Sequence, residues 1–377
     1  MDAPQVAVWA RTGTQWGVVG DLPRYDSLDA DVRHNDVGQF SLAIPLDAKA
    51  AAVQPGRLLT VDWRGTRVCT GVVEDITDGR DSRGRFLEVS GPDTFLAWLL
   101  AWRNPNGQLP NQPLEDATPV TTGAAGSVVM GMIAANVVAR RGMAVTVQSA
   151  AIGSTVRIRP NFDEIAALAF KKATRGGIGV RTNLVDVSGS RANLTVSPYL
   201  PADRSLRVLF AEDLGTLGDW RRKRTAPKTT RALVSGAPGQ GFRGVTTTES
   251  LAAETAWDGR RETLVTGPQT FDTAELDEVG QAALDDGAET VSLSIEATET
   301  PQLRAFRDYF PGDLASVRLP DGTEYTDVVT AVKVSVSDDV AVSVTFGDPD
   351  GTSPIDRQAK TLTATRRDVA TLKSKGI

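Results

Sequence analysis

Apolar and polar residues alternate at period two along much of this chain. Residues 38–46, GQFSLAIPL, place Phe40, Leu42, Ile44 and Leu46 on one face, which predicts a half-buried strand. Weaker alternation over 4–9 and 15–19 predicts an opening hairpin. A polar turn, DGRDSRG at 78–84, leads into a strand at 85–90. Residues 178–187 and 192–197 predict two strands joined by DVSGS. Further strands are predicted at 229–237, 242–248, 262–266 and 290–297, and a last hairpin pairs EYTDVVTAVKVSVS with VAVSVTF across Asp338 and Asp339. Helical spacing is rarer. It predicts a short helix over 92–102 with Phe95, Leu96, Leu99 and Leu100 on its apolar face, and others over 125–139, 162–174 and 273–286. In the third of these, Asp163 and Glu164 fall in the first turn and Lys171 and Lys172 in the last, as the helix dipole favours. Residues 355–377 are polar and basic, with a sparse stripe at Leu362, Val369 and Leu372 that predicts a C-terminal helix.

One patterned segment occurs twice. Residues 55–73 read PGRLLTVDWRGTRVCTGVV and residues 311–330 read PGDLASVRLPDGTEYTDVVT. With one extra residue in the second turn, seven positions are identical: Pro55 with Pro311, Gly56 with Gly312, Leu58 with Leu314, Val61 with Val317, Gly65 with Gly322, Thr66 with Thr323 and Val72 with Val329. Common hairpin grammar is one explanation. Duplication of a whole β-module is the other, and each copy does lie in a larger β-rich stretch. The fold class is then a β-rich α+β, multidomain chain. Its expected divisions are an N-terminal β-module at 1–103, an inserted α/β domain at 104–233, connector strands and a helix at 234–288, a second β-module at 289–350, and a helical tail at 351–377.

Composition sharpens this picture by exclusion. A chain of 377 residues is too long for one compact core. Its 35 glycines and 20 prolines suit a turn-rich β protein. The start, MDAPQVAVWARTG, has neither the basic residues nor the apolar run of a signal peptide, and no apolar stretch reaches the roughly 20 residues that span a bilayer. One cysteine, Cys69, and one histidine, His34, exclude an intrachain disulfide and the usual zinc ligand sets, apart from carboxylate-heavy ones. Cys69 falls in an alternating strand, where it reads as a small buried hydrophobe. A net charge of −6 argues against gripping nucleic acid over the whole surface.

Candidate chemistry is thin. The adjacent acids Asp163 and Glu164, Asp277 and Glu278, and Asp285 and Asp286 point away from one another on a helix and do not form a catalytic pair. APGQGFRG at 237–244 lacks the Gly-Lys-Ser/Thr ending of a phosphate loop, and reads as a turn. Trp9, Trp16, Trp98 and Trp102 read as core or domain-contact aromatics. Residues 220–231, WRRKRTAPKTTR, concentrate Arg221, Arg222, Lys223, Arg224, Lys228 and Arg231. A charged strand edge that blocks aggregation and a contact for an acidic partner subunit both fit this run. No metal, cofactor or catalytic residue is expected.

In their order, these segments resemble the baseplate hub proteins, or minor tail proteins, of long-tailed phages infecting actinobacteria. GQFSLAIPL and PGRLLTVDWRGTRVCTGVVED come first, then the strand 86–91, the helix 93–101 and Arg103. RTAPKTTRALVSGAPGQGFRG at 224–244 follows, then AWDGRRETLV at 256–265 with its Trp-x-Gly-Arg-Arg-Glu block. AELDEVGQAAL at 274–284 and YFPGDLASVRLPDG at 309–322 close the series. The resemblance implies a fold similar to contractile-tail hubs, with two tail-tube-like β-barrel modules flanking the α/β insertion. It implies a virion protein at the tail tip, non-enzymatic and homotrimeric, presenting six modules per ring and taking part in host attachment and DNA ejection. Its neighbours would be a distal tail protein, a tape-measure protein and a central fibre or tip protein, with DNA passing through the lumen without specific binding. Some relatives carry a C-terminal cell-wall peptidase, but here no Cys/His/Asn or metal-hydrolase set supplies one. The alternative functions are a cell-wall carbohydrate-binding tail module and a tail-associated hydrolase that uses carboxylates alone. The structural turns of the repeat are expected at Pro55, Gly56, Gly65, Thr66, Pro311, Gly312, Gly322 and Thr323. Partner contacts are expected at Arg221, Arg222, Lys223, Arg224, Leu362, Val369 and Leu372.

Overall fold

A computed structural model describes residues 3–47, 49–81, 84–107, 111–113, 118–188, 190–238, 243–267 and 273–347. The N-terminal region forms eight strands: β1 (Gln5–Thr12), β2 (Gln15–Asp21), β3 (Ser27–Arg33), β4 (Gln39–Pro45), β5 (Leu58–Trp63), β6 (Thr66–Val72), β7 (Asp75–Asp81) and β8 (Gly84–Pro92). The segment that follows contributes β9 (Leu100–Ala101), β10 (Thr121–Ala124), α1 (Ala125–Ile133), β11 (Thr146–Val147), β12 (Thr155–Ile158), β13 (Asp163–Glu164) and α2 (Ile165–Arg175). Then come β14 (Gly179–Ser188), β15 (Arg191–Tyr199), β16 (Leu209–Ala211) and β17 (Leu217–Thr225). Next are β18 (Arg231–Pro238), β19 (Arg243–Glu249), α3 (Leu251–Ala256), β20 (Glu262–Thr266) and α4 (Thr273–Asp286). The last strands are β21 (Thr290–Ala297), β22 (Leu314–Arg318), β23 (Glu324–Val336) and β24 (Val340–Gly347). The chain divides into two compact units. The first joins the N-terminal region, residues 120–220 and the C-terminal strands from Ser294. The second is built on Arg221–Leu293.

Most of the described strands lie in two large sheets. One runs β11-β15-β2-β1-β5-β6, with β14 also on β15. The other runs β17-β21-β24-β23-β3-β4-β8-β7, with β22 on β23 and β16 beside β22. Within the second sheet, β3 pairs with β23, Val32 opposite Val332 and Leu28 opposite Val336. Chain ends about three hundred residues apart are therefore joined in one ladder. Alternation sets the core as expected: Phe40, Leu42 and Ile44 are each 2% exposed.

Among the described residues no sheet closes into a barrel, so the expected pair of tube-like barrels is corrected to open sheets. The first repeat copy lies in the seven-stranded sheet and the second in the ten-stranded one. The physical reason is visible where β6 and β14, which among the described residues each have a ladder on one side only, approach each other. Side chains bridge them instead of a backbone ladder. The Arg67 guanidinium donates to the Leu184 carbonyl at 2.6 Å and to Asp186 at 3.1 Å, while its other edge holds Asp62. The Thr70 hydroxyl donates to Asn183 at 3.1 Å and accepts the Leu184 N–H. We expect Arg67→Met to lower stability by about 2 kcal/mol, because a carbonyl and two carboxylates lose a charged partner. A urea midpoint unchanged from wild type would refute that role.

Three local expectations also change. Residues 95–98 form one 3-10 turn capped by Thr94, not a helix to 102. The chain then enters β9, which pairs with β13, and this also draws Asp163 and Glu164 out of the first turn of α2. The expected turn over 78–84 is shorter, because β7 extends to Asp81, opposite Gly84. After α1 the helix continues as π-helical turns over Ala134–Ala139, with buried Asn136 accepting from Trp102 N–H at 2.9 Å. The expected tail helix, with Leu362, Val369 and Leu372, lies outside the described residues.

In the second unit β18 pairs with β19 antiparallel and with β20 parallel, and α4 covers one face. Leu276, Gly280 and Leu284 form its buried side. A Cβ on Gly280 would come within 2.1 Å of the Thr248 hydroxyl, so glycine is what allows the helix this close to the sheet.

Candidate functional site

The two repeat copies form hairpins with matching registers. Gly56 N–H donates to Val73 O at 2.8 Å, and Gly312 N–H to Val329 O at 2.7 Å. Val73 N–H returns to Arg57 O at 2.9 Å, and Val329 N–H to Asp313 O at 2.8 Å. Val73, one residue beyond the Val72 of the sequence alignment, is therefore the structural counterpart of Val329. The offset has a simple cause. The second copy has its extra residue in the turn, and the first has a bulge at Val68, between the Val61–Cys69 and Asp62–Arg67 pairs. All four repeat glycines occupy the left-handed region: Gly56 at φ 77°, Gly312 at 102°, Gly65 at 78° and Gly322 at 81°. Arg64 joins Gly65 at positive φ, 54°, giving the two-residue mirror-image turn that suits strand twist. Pro55 and Pro311 precede the first glycines, and Thr66 and Thr323 follow the turn glycines.

The tip of the first hairpin and the start of the second both line a cleft of about 590 Å3 in the first unit. Gly65, Thr66 and Arg67 reach it from one copy, and Pro311 and Asp313 from the other. A polar node holds the second start in place. Tyr199 donates its hydroxyl proton to Pro311 O at 3.1 Å, so the His34 Nδ1–H must donate to Tyr199 Oη at 2.7 Å. His34 Nε2 then accepts from Asn35 Nδ2 at 3.2 Å, which makes the imidazole neutral. Burial agrees, holding the His34 pKa down at about 4 against the weaker pull of Asp313. Asn35 also donates to Ile178 O and accepts from Val180 N–H, tying the node to the end of α2 and to β14. Asp313 accepts from Arg204, Ala202 N–H and Phe310 N–H.

Asp93 is the other notable group in the cleft. Its carboxylate accepts Gly38 N–H at 2.9 Å. Burial first, and then Asp31 and Asp36, push its pKa up to about 7 against the Gly38 bond and Arg33. Cys69 is buried, and burial raises its thiol well above the ordinary range. Among the described residues no group of three or more His, Cys, Asp or Glu is placed to hold a metal ion, and no helix is long and apolar enough to cross a membrane.

Four residues of the basic run, Arg221, Arg222, Lys223 and Arg224, lie on β17 and are exposed, while Arg231 begins β18 and pairs with Glu249 and Glu254. Arg224 pairs with Glu289 and lies over Trp257, whose indole N–H donates to the same Glu289 at 2.7 Å. The Trp-x-Gly-Arg-Arg-Glu block thus anchors one end of that run. Of the tryptophans read as core or domain-contact aromatics, Trp9 is in the core at 4% exposed, and Trp98 is 49% exposed.

The profile of the Siphovirus ReqiPepy6 Gp37-like protein family matches residues 5–348. The chain belongs to this family. The Gp37-like fold is also that of two solved tail proteins. One is the 43 kDa tail protein of prophage MuSo2 from Shewanella oneidensis, at TM-score 0.59 and 14% identity over 92% of this chain and 99% of that one. The other is the tail protein from Neisseria meningitidis MC58, at TM-score 0.56 and 16% identity over 94% and 99%. No curated protein matches. This Gp37-like chain therefore shares its fold with tail proteins from a prophage and a bacterium. No single motif announces that fold. What sequence reasoning missed is the node, because the neighbours His34 and Asn35, Tyr199 and Asp313 come from three distant parts of the chain and none belongs to a recognisable spacing.

Proposed function

We propose that this chain is the structural hub of a long non-contractile tail, with three copies forming a ring at the tail tip. The observation that carries this reading is the pair of hairpins, alike in register and in the conformation of all four repeat glycines. Two equivalent hairpins per chain give six in a trimer. Such a ring matches a six-fold tail tube on one side to three-fold tip components on the other, using repeated surfaces rather than a reaction centre. Its neighbours are a distal tail protein above, a tape-measure protein in the lumen and a central fibre or tip protein below. DNA passes through without specific contact, a reading with which the net charge of −6 is compatible. Class averages of the purified chain by electron microscopy are expected to show three-fold rings with a central channel. A single copy, both in solution and in the assembled virion, would overturn the reading.

A further inference from the structure

We propose that strand β7 of one copy pairs antiparallel with strand β17 of the next, so that copies of this chain join edge to edge. The proposal rests on the hub reading and names the surface that would build the ring. Among the described residues, β7 has a ladder partner only in β8, and β17 only in β21. Charge on an open edge ordinarily keeps copies apart. That works when both edges carry the same sign, and here they do not. β7 and the residue before it present Glu74, Asp75 and Asp78 to solvent, with Arg80 beyond them. β17 presents Asp219, then Arg221, Arg222, Lys223 and Arg224.

The order of these charges selects a register. When Arg221 faces Asp78 in an antiparallel pair, Arg224 faces Asp75 and Asp219 faces Arg80. Three opposite-charge pairs form and no like-charge pair does, whereas no parallel alignment of these residues makes more than two. The same register sets Trp220, which is 40% exposed, opposite Gly79. The ring of Phe86 already lies against that glycine, with Cζ 2.8 Å from where a Cβ would stand. Residues directly opposite share a face of the sheet, so Trp220 would come to lie beside Phe86 over a position that has no side chain of its own. Because the two edges differ, the contact is head to tail, and repeating it closes a ring or extends a filament.

Two variants test this without changing net charge. Asp219→Arg with Arg221→Asp reverses β17, and Asp78→Arg with Arg80→Asp reverses β7. Each turns two attractive pairs into repulsive ones and is expected to weaken self-association of the full chain about 30-fold by light scattering. The four-site chain restores both pairs and is expected to assemble within about threefold of wild type. Wild-type assembly by either two-site variant, or dissociation of a four-site chain with a wild-type circular dichroism spectrum and melting curve, overturns the pairing. A separate readout uses Arg221→Cys with Asp78→Cys, expected to give disulfide-linked chains under oxidation. Chains that stay single overturn the register. A wild-type trimer indifferent to every variant removes the pairing but leaves the hub reading standing. A wild type that is monomeric, in solution and in the virion, removes both.

Discussion

Asp93→Asn is expected to stabilise the protein by about 2–4 kcal/mol at pH 8 and to leave it nearly unchanged at pH 4. The carboxyl has a pKa of about 7 in the fold against an ordinary 3.8, so the folded state holds its proton more tightly than the unfolded chain. That advantage is complete below pH 3.8 and disappears as pH rises through 7, at about 1.4 kcal/mol for each pKa step. Asparagine keeps an acceptor for Gly38 N–H and has no charge to bury. His34 acts in the opposite sense. Its folded pKa of about 4 lies below the ordinary 6.5, so its contribution is complete above 6.5 and is lost as pH falls through 4. The two effects oppose each other between about pH 4 and 6.5, and the wild-type profile there is expected to be shallow. Asp93→Asn should expose the His34 slope, with stability dropping steadily across that window by about 3 kcal/mol. Thermal unfolding at half-unit pH steps measures this, and equal wild-type and variant stability at pH 8 would sink the assignment.

Gly312→Ala is expected to cost about 2–4 kcal/mol, and Gly322→Ala only about 1. Both glycines sit at positive φ, where a Cβ meets the backbone. At Gly322 the surroundings are open, so only that conformational cost applies. At Gly312 a Cβ would stand 2.6 Å from His34 Nδ1 and 3.0 Å from Tyr199 Oη, so the node must also open. Denaturant titration of both variants separates the two terms. Equal losses would show that the node yields freely.

Much of the local fold was legible because alternation reports burial directly. GQFSLAIPL became β4, 290–297 became β21 and 273–286 became α4. Alternation says which residues share a face, not which strand lies alongside, so nothing marked β3 as the neighbour of β23. The barrel expectation failed on the same point. The hairpins were readable, but closure depended on whether β6 and β14 formed a ladder, and Arg67 and Thr70 bridge them with side chains instead. The short helix failed because Leu99 and Ala101 are buried by an extended chain against β13, which an apolar run of that length does not distinguish from a helix. The repeat glycines were legible from their spacing. The cleft and the node were not, since Asp93 and Asn35 are ordinary polar residues until the fold encloses them.

The β3–β23 pairing bears on how the protein is made. During synthesis β3, β4, β8 and β7 leave the ribosome early, but the neighbour of β3 follows only when residues 324–336 emerge. Until then the nascent chain shows a bare row of backbone donors and acceptors along β3. A chain that stops before β23 keeps that row open and should aggregate, whereas the finished chain covers it. Synthesis of β23 thus becomes a checkpoint for solubility, and only copies that carry it remain available for assembly.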